Sequence, residues 1–76
     1  MSMCGRVLTE REMSTSKGVI SPWWYVHGGV SGEMDGRGIT PSQVIGRGVK
    51  QEPDGRVRVF VGTISGSVYE LGEEWR

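Results

Sequence analysis

Residues 54–71, D-G-R-V-R-V-F-V-G-T-I-S-G-S-V-Y-E-L, decide the fold. Val57, Val59, Val61 and Thr63 alternate with Arg56, Arg58, Phe60, Gly62 and Ile64. A period of two rich in β-branched residues is the signature of a strand. Ser65-Gly66 reads as a two-residue turn, with the glycine supplying positive φ, and a second strand follows. Closed on those two residues, the hairpin pairs Ile64 with Ser67, Thr63 with Val68, Gly62 with Tyr69 and Phe60 with Leu71. Val57, Val59, Val61 and Val68 then share one face, and Phe60, Ile64, Tyr69 and Leu71 the other. Both faces are partly apolar, so both need cover.

Outward from the hairpin, Val44 to Lys50 (V-I-G-R-G-V-K) forms a further strand, joined through a Gln51-Glu52-Pro53-Asp54-Gly55 turn. Pairing Lys50 with Arg56 sets Gly48 opposite Arg58, Gly46 opposite Phe60 and Ile45 opposite Val61. Ile45 and Val49 join the valines as a core face, while Gly46, Gly48 and Gly62 pave the reverse. Glycines in adjacent strands predict a sharp barrel bend or the close approach of another group.

Val19 to Val26 (V-I-S-P-W-W-Y-V) opens a strand over 19–27, with Pro22 at an edge or entry. Adjacent Trp23 and Trp24 must point to opposite faces, Trp24 with Val26 and Trp23 with Tyr25 and His27. The outward indole is a ligand or interface platform, or it packs under the next loop. Residues 27–41 read as a glycine-rich connection with a turn at Asp35-Gly36 and no complete phosphate-loop or dinucleotide motif. Residues 1–18 show no strand pattern and are expected as a flexible segment. Within them Thr9-x-x-Glu12 has the form of a capping box, sufficient for a turn or two of helix around Glu10–Ser14. Met13 offers a second start, which would make residues 1–12 an upstream addition. The acidic end after Leu71 is expected to be solvated and frayed.

The fold expectation is a single small domain over residues 19–76. It is all-β, a four- to five-stranded SH3-like barrel or curled antiparallel meander, with strands near 19–27, 43–50, 56–64 and 67–72. A chain of 76 residues with one cysteine has neither an internal disulfide nor, with His27 alone, a zinc site. Near this lower size limit, self-association is the usual route to a sufficient core, so a homo-oligomer is expected. Nine basic against nine acidic residues disfavour a nucleic-acid partner. No apolar run is long enough to cross a membrane, and a reduced, cytoplasmic setting fits best.

No nucleophile–base pair or carboxylate pair is selected by spacing, so an enzyme is not expected and no cofactor is called for. A binding role draws more support. Arg37, Arg47, Lys50, Arg56 and Arg58 make mid-chain basic, and hydroxyls and aromatic rings lie among them. Stacking surface beside guanidinium and hydroxyl donors suits a nucleotide-type small molecule. The rival assignment is that the arginines are a solvated strand face and the hydroxyls serve turns.

The closing segment Thr63 to Gly72 (T-I-S-G-S-V-Y-E-L-G) resembles the last strand of short phage and prophage proteins. These share a tryptophan-containing first strand and a middle segment similar to Asp35-Gly36-Arg37-Gly38-Ile39-Thr40-Pro41-Ser42. The resemblance spans residues 22–72 and implies a small all-β protein of phage origin. Several tiny phage proteins sequester nucleotide second messengers of bacterial defence as oligomers, which would place Arg37, Thr40, Ser42, Ser67 and Tyr69 around a ligand. With Trp24 and His27 for stacking or edge contacts and Arg58 for phosphate, these form the expected binding set. The alternatives are a protein-binding inhibitor acting through a strand edge or aromatic patch, and a single-stranded nucleic-acid binder.

Overall fold

A computed structural model describes residues 6–41 and 43–75. In chain order the described residues form β1 (Arg6–Val7), α1 (Glu10–Ser14), β2 (Val19–Ile20), β3 (Trp23–Val26), β4 (Gly29–Met34), β5 (Arg37–Ile39), β6 (Val44–Gln51), β7 (Val57–Thr63) and β8 (Val68–Leu71). The fold is all-β and small, as expected. Its strands form two open sheets, one of five strands ordered β1-β6-β7-β8-β2 and one of three ordered β3-β4-β5. β6, β7 and β8 are an antiparallel meander, and the two short outer strands run parallel to their neighbours.

Both hairpins of the meander close with three-residue loops that end in a left-handed glycine, Gly55 at φ 92° and Gly66 at φ 91°. A turn followed by one αL residue is the standard three-residue hairpin. Loop Ile64-Ser65-Gly66 therefore pairs Gly62 with Val68 and Val61 with Tyr69, one residue away from the two-residue turn read from the sequence. A slip of one turns every side chain of β8 over. Tyr69 and Leu71 join the Val59–Val61 face, and Val68 joins Phe60. In the other hairpin Lys50 pairs with Arg58 rather than Arg56, and a register shift between Val44 and Gly46 leaves Ile45 outside the ladder. A shift of two keeps the faces, so Gly46, Gly48 and Gly62 still lie together.

The glycine-paved face itself is buried, not open. Leu8 and Met13 drop onto it and form a cluster with Phe60 and Val68. A Cβ on Gly48 would lie 2.7 Å from the Met13 sulfur and 2.9 Å from Leu8 Cβ, so the close approach forbids a side chain. Residues 6–16, expected as a flexible segment, are thus a docked arm. β1 pairs with β6, and Leu8 N–H donates to the Arg47 carbonyl at 2.9 Å. The helix falls at Glu10–Ser14 with its capping box complete: Glu12 N–H donates to Thr9 Oγ1 at 3.1 Å and Thr9 N–H to Glu12 Oε1 at 2.8 Å. The Arg6 guanidinium, and after it the Thr9 amide, hold the Glu12 carboxyl down at about 2.

The opposite face is covered by the three-stranded sheet. Ile20, Trp23, Val30, Val61 and Leu71 form the second buried cluster, flanked by Ile39, Val44, Val59 and Tyr69. The segment read as one strand over 19–27 is split at Ser21-Pro22, its halves serving different sheets. The stretch read as a connection supplies β4 and β5, closed by a tight Asp35-Gly36 turn with φ 56° and 79°. Trp23 points inward, its indole N–H donating to the Gly72 carbonyl at 3.0 Å. That bond and a parallel bridge between Trp23 and Glu74 hold the C-terminal segment along β3, where a frayed end was expected.

Candidate functional site

A cleft of about 590 Å³ lies between the two sheets. Val30, Val44, Val59, Val61 and Leu71 give it an apolar floor, and Tyr25, Gln43, Arg47 and Glu74 stand on its rim. The rim follows from the ladder. Arg47 pairs with Val61 and so faces the second sheet, while Tyr25 pairs with Val30 on β4. The Tyr25 ring also packs edge-on against Trp23, with centroids 5.0 Å apart, yet is 67% exposed. Among the described residues Arg47 makes no ion pair, unlike Arg6, Arg56 and Arg58.

A second hollow of about 360 Å³ shares Val26, Gly28, Gly29 and Gln43 with this cleft and adds His27, Thr40 and Pro41. The two hollows adjoin at the residues they share, around the His27-Gly28 turn. Thr40 Oγ1 lies 2.9 Å from Ser31 Oγ, which fixes the hydroxyl pair beside the turn.

Of the described residues expected to bind ligand, the two hollows gather only His27 and Thr40. Arg37 sits apart, in a separate hollow of about 560 Å³ with Met34, Asp35 and Ile39. Arg58 is on the other face of the sheet and is taken. It forks onto Glu70 at 3.0 and 2.7 Å, has Glu52 at 4.0 Å and lies 5.2 Å over the Phe60 ring. The Glu70 hydrogen bonds and charge raise its pKa still further above the ordinary arginine value. A guanidinium with two carboxylates is a structural tie, not a phosphate hook. Ser67 is held in the hairpin, its N–H donating to Thr63 Oγ1 at 3.2 Å, and Tyr69 packs against the inter-sheet core. Trp24 faces outward, edge-on to Trp75. Ser42 lies outside the described residues.

The sequence reading missed Tyr25, Gln43, Arg47 and Glu74. Strand parity already put Tyr25 beside Trp23, and the glycines flanking Arg47 lie on the opposite face from its side chain. The missing piece was the second sheet that makes a groove of them. Among the described residues no cluster of His, Cys, Asp or Glu could hold a metal ion, and no helix is long and apolar enough to cross a membrane. No protein-family model, characterised protein or solved structure matches the chain.

Proposed function

We propose that this protein is a non-enzymatic binder of a small, partly planar anion, with a nucleotide-derived molecule as the fitting class. The observation that carries the reading is the groove between the sheets, where Arg47, without an ion pair among the described residues, and an exposed Tyr25 stand over an apolar floor. A base would stack on Tyr25 and lie over Val59 and Val44, and its phosphate would meet Arg47 or the His27–Thr40 end. The resemblance to small phage proteins extends the reading to sequestration of a nucleotide second messenger by a homo-oligomer. The reading itself requires no bond chemistry.

Native mass spectrometry, with and without a panel of cyclic and ADP-ribose-type nucleotides, tests this directly. The protein should retain one class of nucleotide, and Arg47→Ala or Tyr25→Ala should weaken it by about tenfold or more. Arg37→Ala and Arg58→Ala should leave it unchanged. Failure to retain any member of the panel sinks the reading, as does loss of binding in the Arg37 variant without loss in the Arg47 variant.

A second reading rests on a different surface. Val49 and Val57 are 59% and 57% exposed at the free end of the β6–β7 hairpin, beyond the reach of the covering sheet. Apolar residues side by side on a projecting ribbon favour a protein partner, including another copy of this chain. Sedimentation of the purified protein separates the cases, because a self-contact predicts an oligomer that Val49→Ser with Val57→Ser reduces to monomer.

A further inference from the structure

The outer face of the three-stranded sheet carries a second hollow, sharing no residue with the groove. Pro22, Trp24, Glu33 and Trp75 bound a space of about 470 Å³. The two indoles have centroids 6.5 Å apart and planes inclined at 68°, so they form adjoining walls rather than a flat stack. Trp24 is 36% and Trp75 63% exposed, which leaves ring surface open to an incoming group.

The walls are set by backbone pairing. Trp75 N–H donates to the Trp23 carbonyl at 2.7 Å, and Trp23 N–H to the Glu73 carbonyl at 3.0 Å. Across the sheet, Glu33 N–H donates to the Pro22 carbonyl at 3.1 Å and Ser21 N–H to the Glu33 carbonyl at 2.8 Å. Each of the four lining residues is therefore itself in, or next to, a main-chain bond that fixes it. Among the described residues the Glu33 carboxylate has no hydrogen-bond or ion-pair partner.

We infer that this hollow is a binding site for an alkylated ammonium group. Indole faces carry negative potential, and a cation in the angle between these two lies within about 6 Å of both centroids, the reach of cation–π attraction. The free carboxylate adds a formal negative charge on a third side, and Pro22 adds an apolar wall. Among the described residues no basic side chain lines the space, so none of them offers an anion a partner. Among cations, a bare ammonium is strongly hydrated and would lose its water for a single carboxylate. A methylated ammonium is charged and apolar at once, and matches walls that offer charge and ring faces but little hydrogen bonding. The same head group occurs on free small molecules and on trimethylated lysine.

The test is a titration of the intact protein, followed by the indole N–H signals in NMR. Choline should shift the Trp24 and Trp75 signals saturably and leave the Trp23 signal, which is tied to Gly72, in place. The neutral carbon isostere 3,3-dimethylbutanol should bind about tenfold more weakly or worse, and Glu33→Gln should weaken choline by roughly 3- to 10-fold. Trp75→Ala, checked for folding by an unmoved Trp23 signal, should abolish the response. Equal binding of the isostere, unchanged binding by the Trp75 variant, or the absence of a saturable shift each overturns the inference. A trimethyl-lysine peptide that binds more tightly than choline assigns the site to a protein partner, and parity assigns it to a free ammonium. Both of those outcomes uphold it.

Discussion

The two faces of the five-stranded sheet are covered by opposite means. On one, Gly46, Gly48 and Gly62 remove the side chains, and two residues of a short arm, Leu8 and Met13, come down almost to the backbone. On the other, valines stand up and a whole second sheet is needed to cover them, which it does only in part. Where glycines clear the side chains from a face, two plugs seal it against the backbone. A face with side chains holds its cover at a distance, and the groove is what remains between them. Function is therefore expected on the valine side and stability on the glycine side.

That division fails or holds on substitution. The largest effect should come from Leu8→Ala, which empties the contact over three glycines that cannot fill it. A loss of about 2–5 kcal/mol in urea unfolding is expected, close to the whole stability of so small a domain. Gly48→Ala should come next, at about 1–3 kcal/mol, because its Cβ meets Leu8 Cβ and the Met13 sulfur. Gly62→Ala meets only the far end of Leu8, at 2.8 Å from Cδ2, and should cost less. If the two glycine variants rank the other way, the plug is not seated as described.

A smaller effect is tied to pH. The Glu12 carboxyl sits at about 2 in the folded arm against an ordinary 4.5. Its contribution is therefore complete above pH 4.5 and is lost as pH falls from there through 2. Wild type and Glu12→Gln should differ in stability near neutrality and converge across that acid window. The least effect belongs to the other face. Val57→Ser, at an exposed ribbon position, should change monomer stability by no more than about 0.5 kcal/mol, a value far below that of Leu8→Ala.

The meander was legible because β-branched alternation is a local signal, and β6, β7 and β8 fall within a residue or so of where the sequence puts them. Its registers were not. Ser65-Gly66 suits a two-residue turn as well as the end of a three-residue loop, and only the φ of 91° at Gly66 with Ile64 drawn into the loop decides between them. β4 was hidden by its own composition, since Gly29 and Gly32 are poor strand formers. Gly32 is there because a Cβ would run into the Pro22 carbonyl oxygen and Trp23 Cα. The arm was read as flexible because Leu8 and Met13 make no amphipathic period on a single helical turn. Their partners are glycines some 35 or more residues along the chain, a relation no local pattern carries. Arg58 looked like a free cation until the register put Glu70 beside it.

Residues 6–20 leave the ribosome well before their strand partners, Gly46–Arg47 and Glu70–Leu71. The strands of the β3–β4–β5 sheet pair with one another as near neighbours in the chain, while the bridge from Trp23 to Glu74 reaches far along it. That sheet can form early, with Trp23 and Val30 still uncovered, while the arm waits for Gly46–Arg47, Phe60 and Val68. Vectorial synthesis thus cannot complete the central sheet stepwise. A nascent chain stalled at Thr63 should be cut by protease within residues 6–20, where the released protein resists.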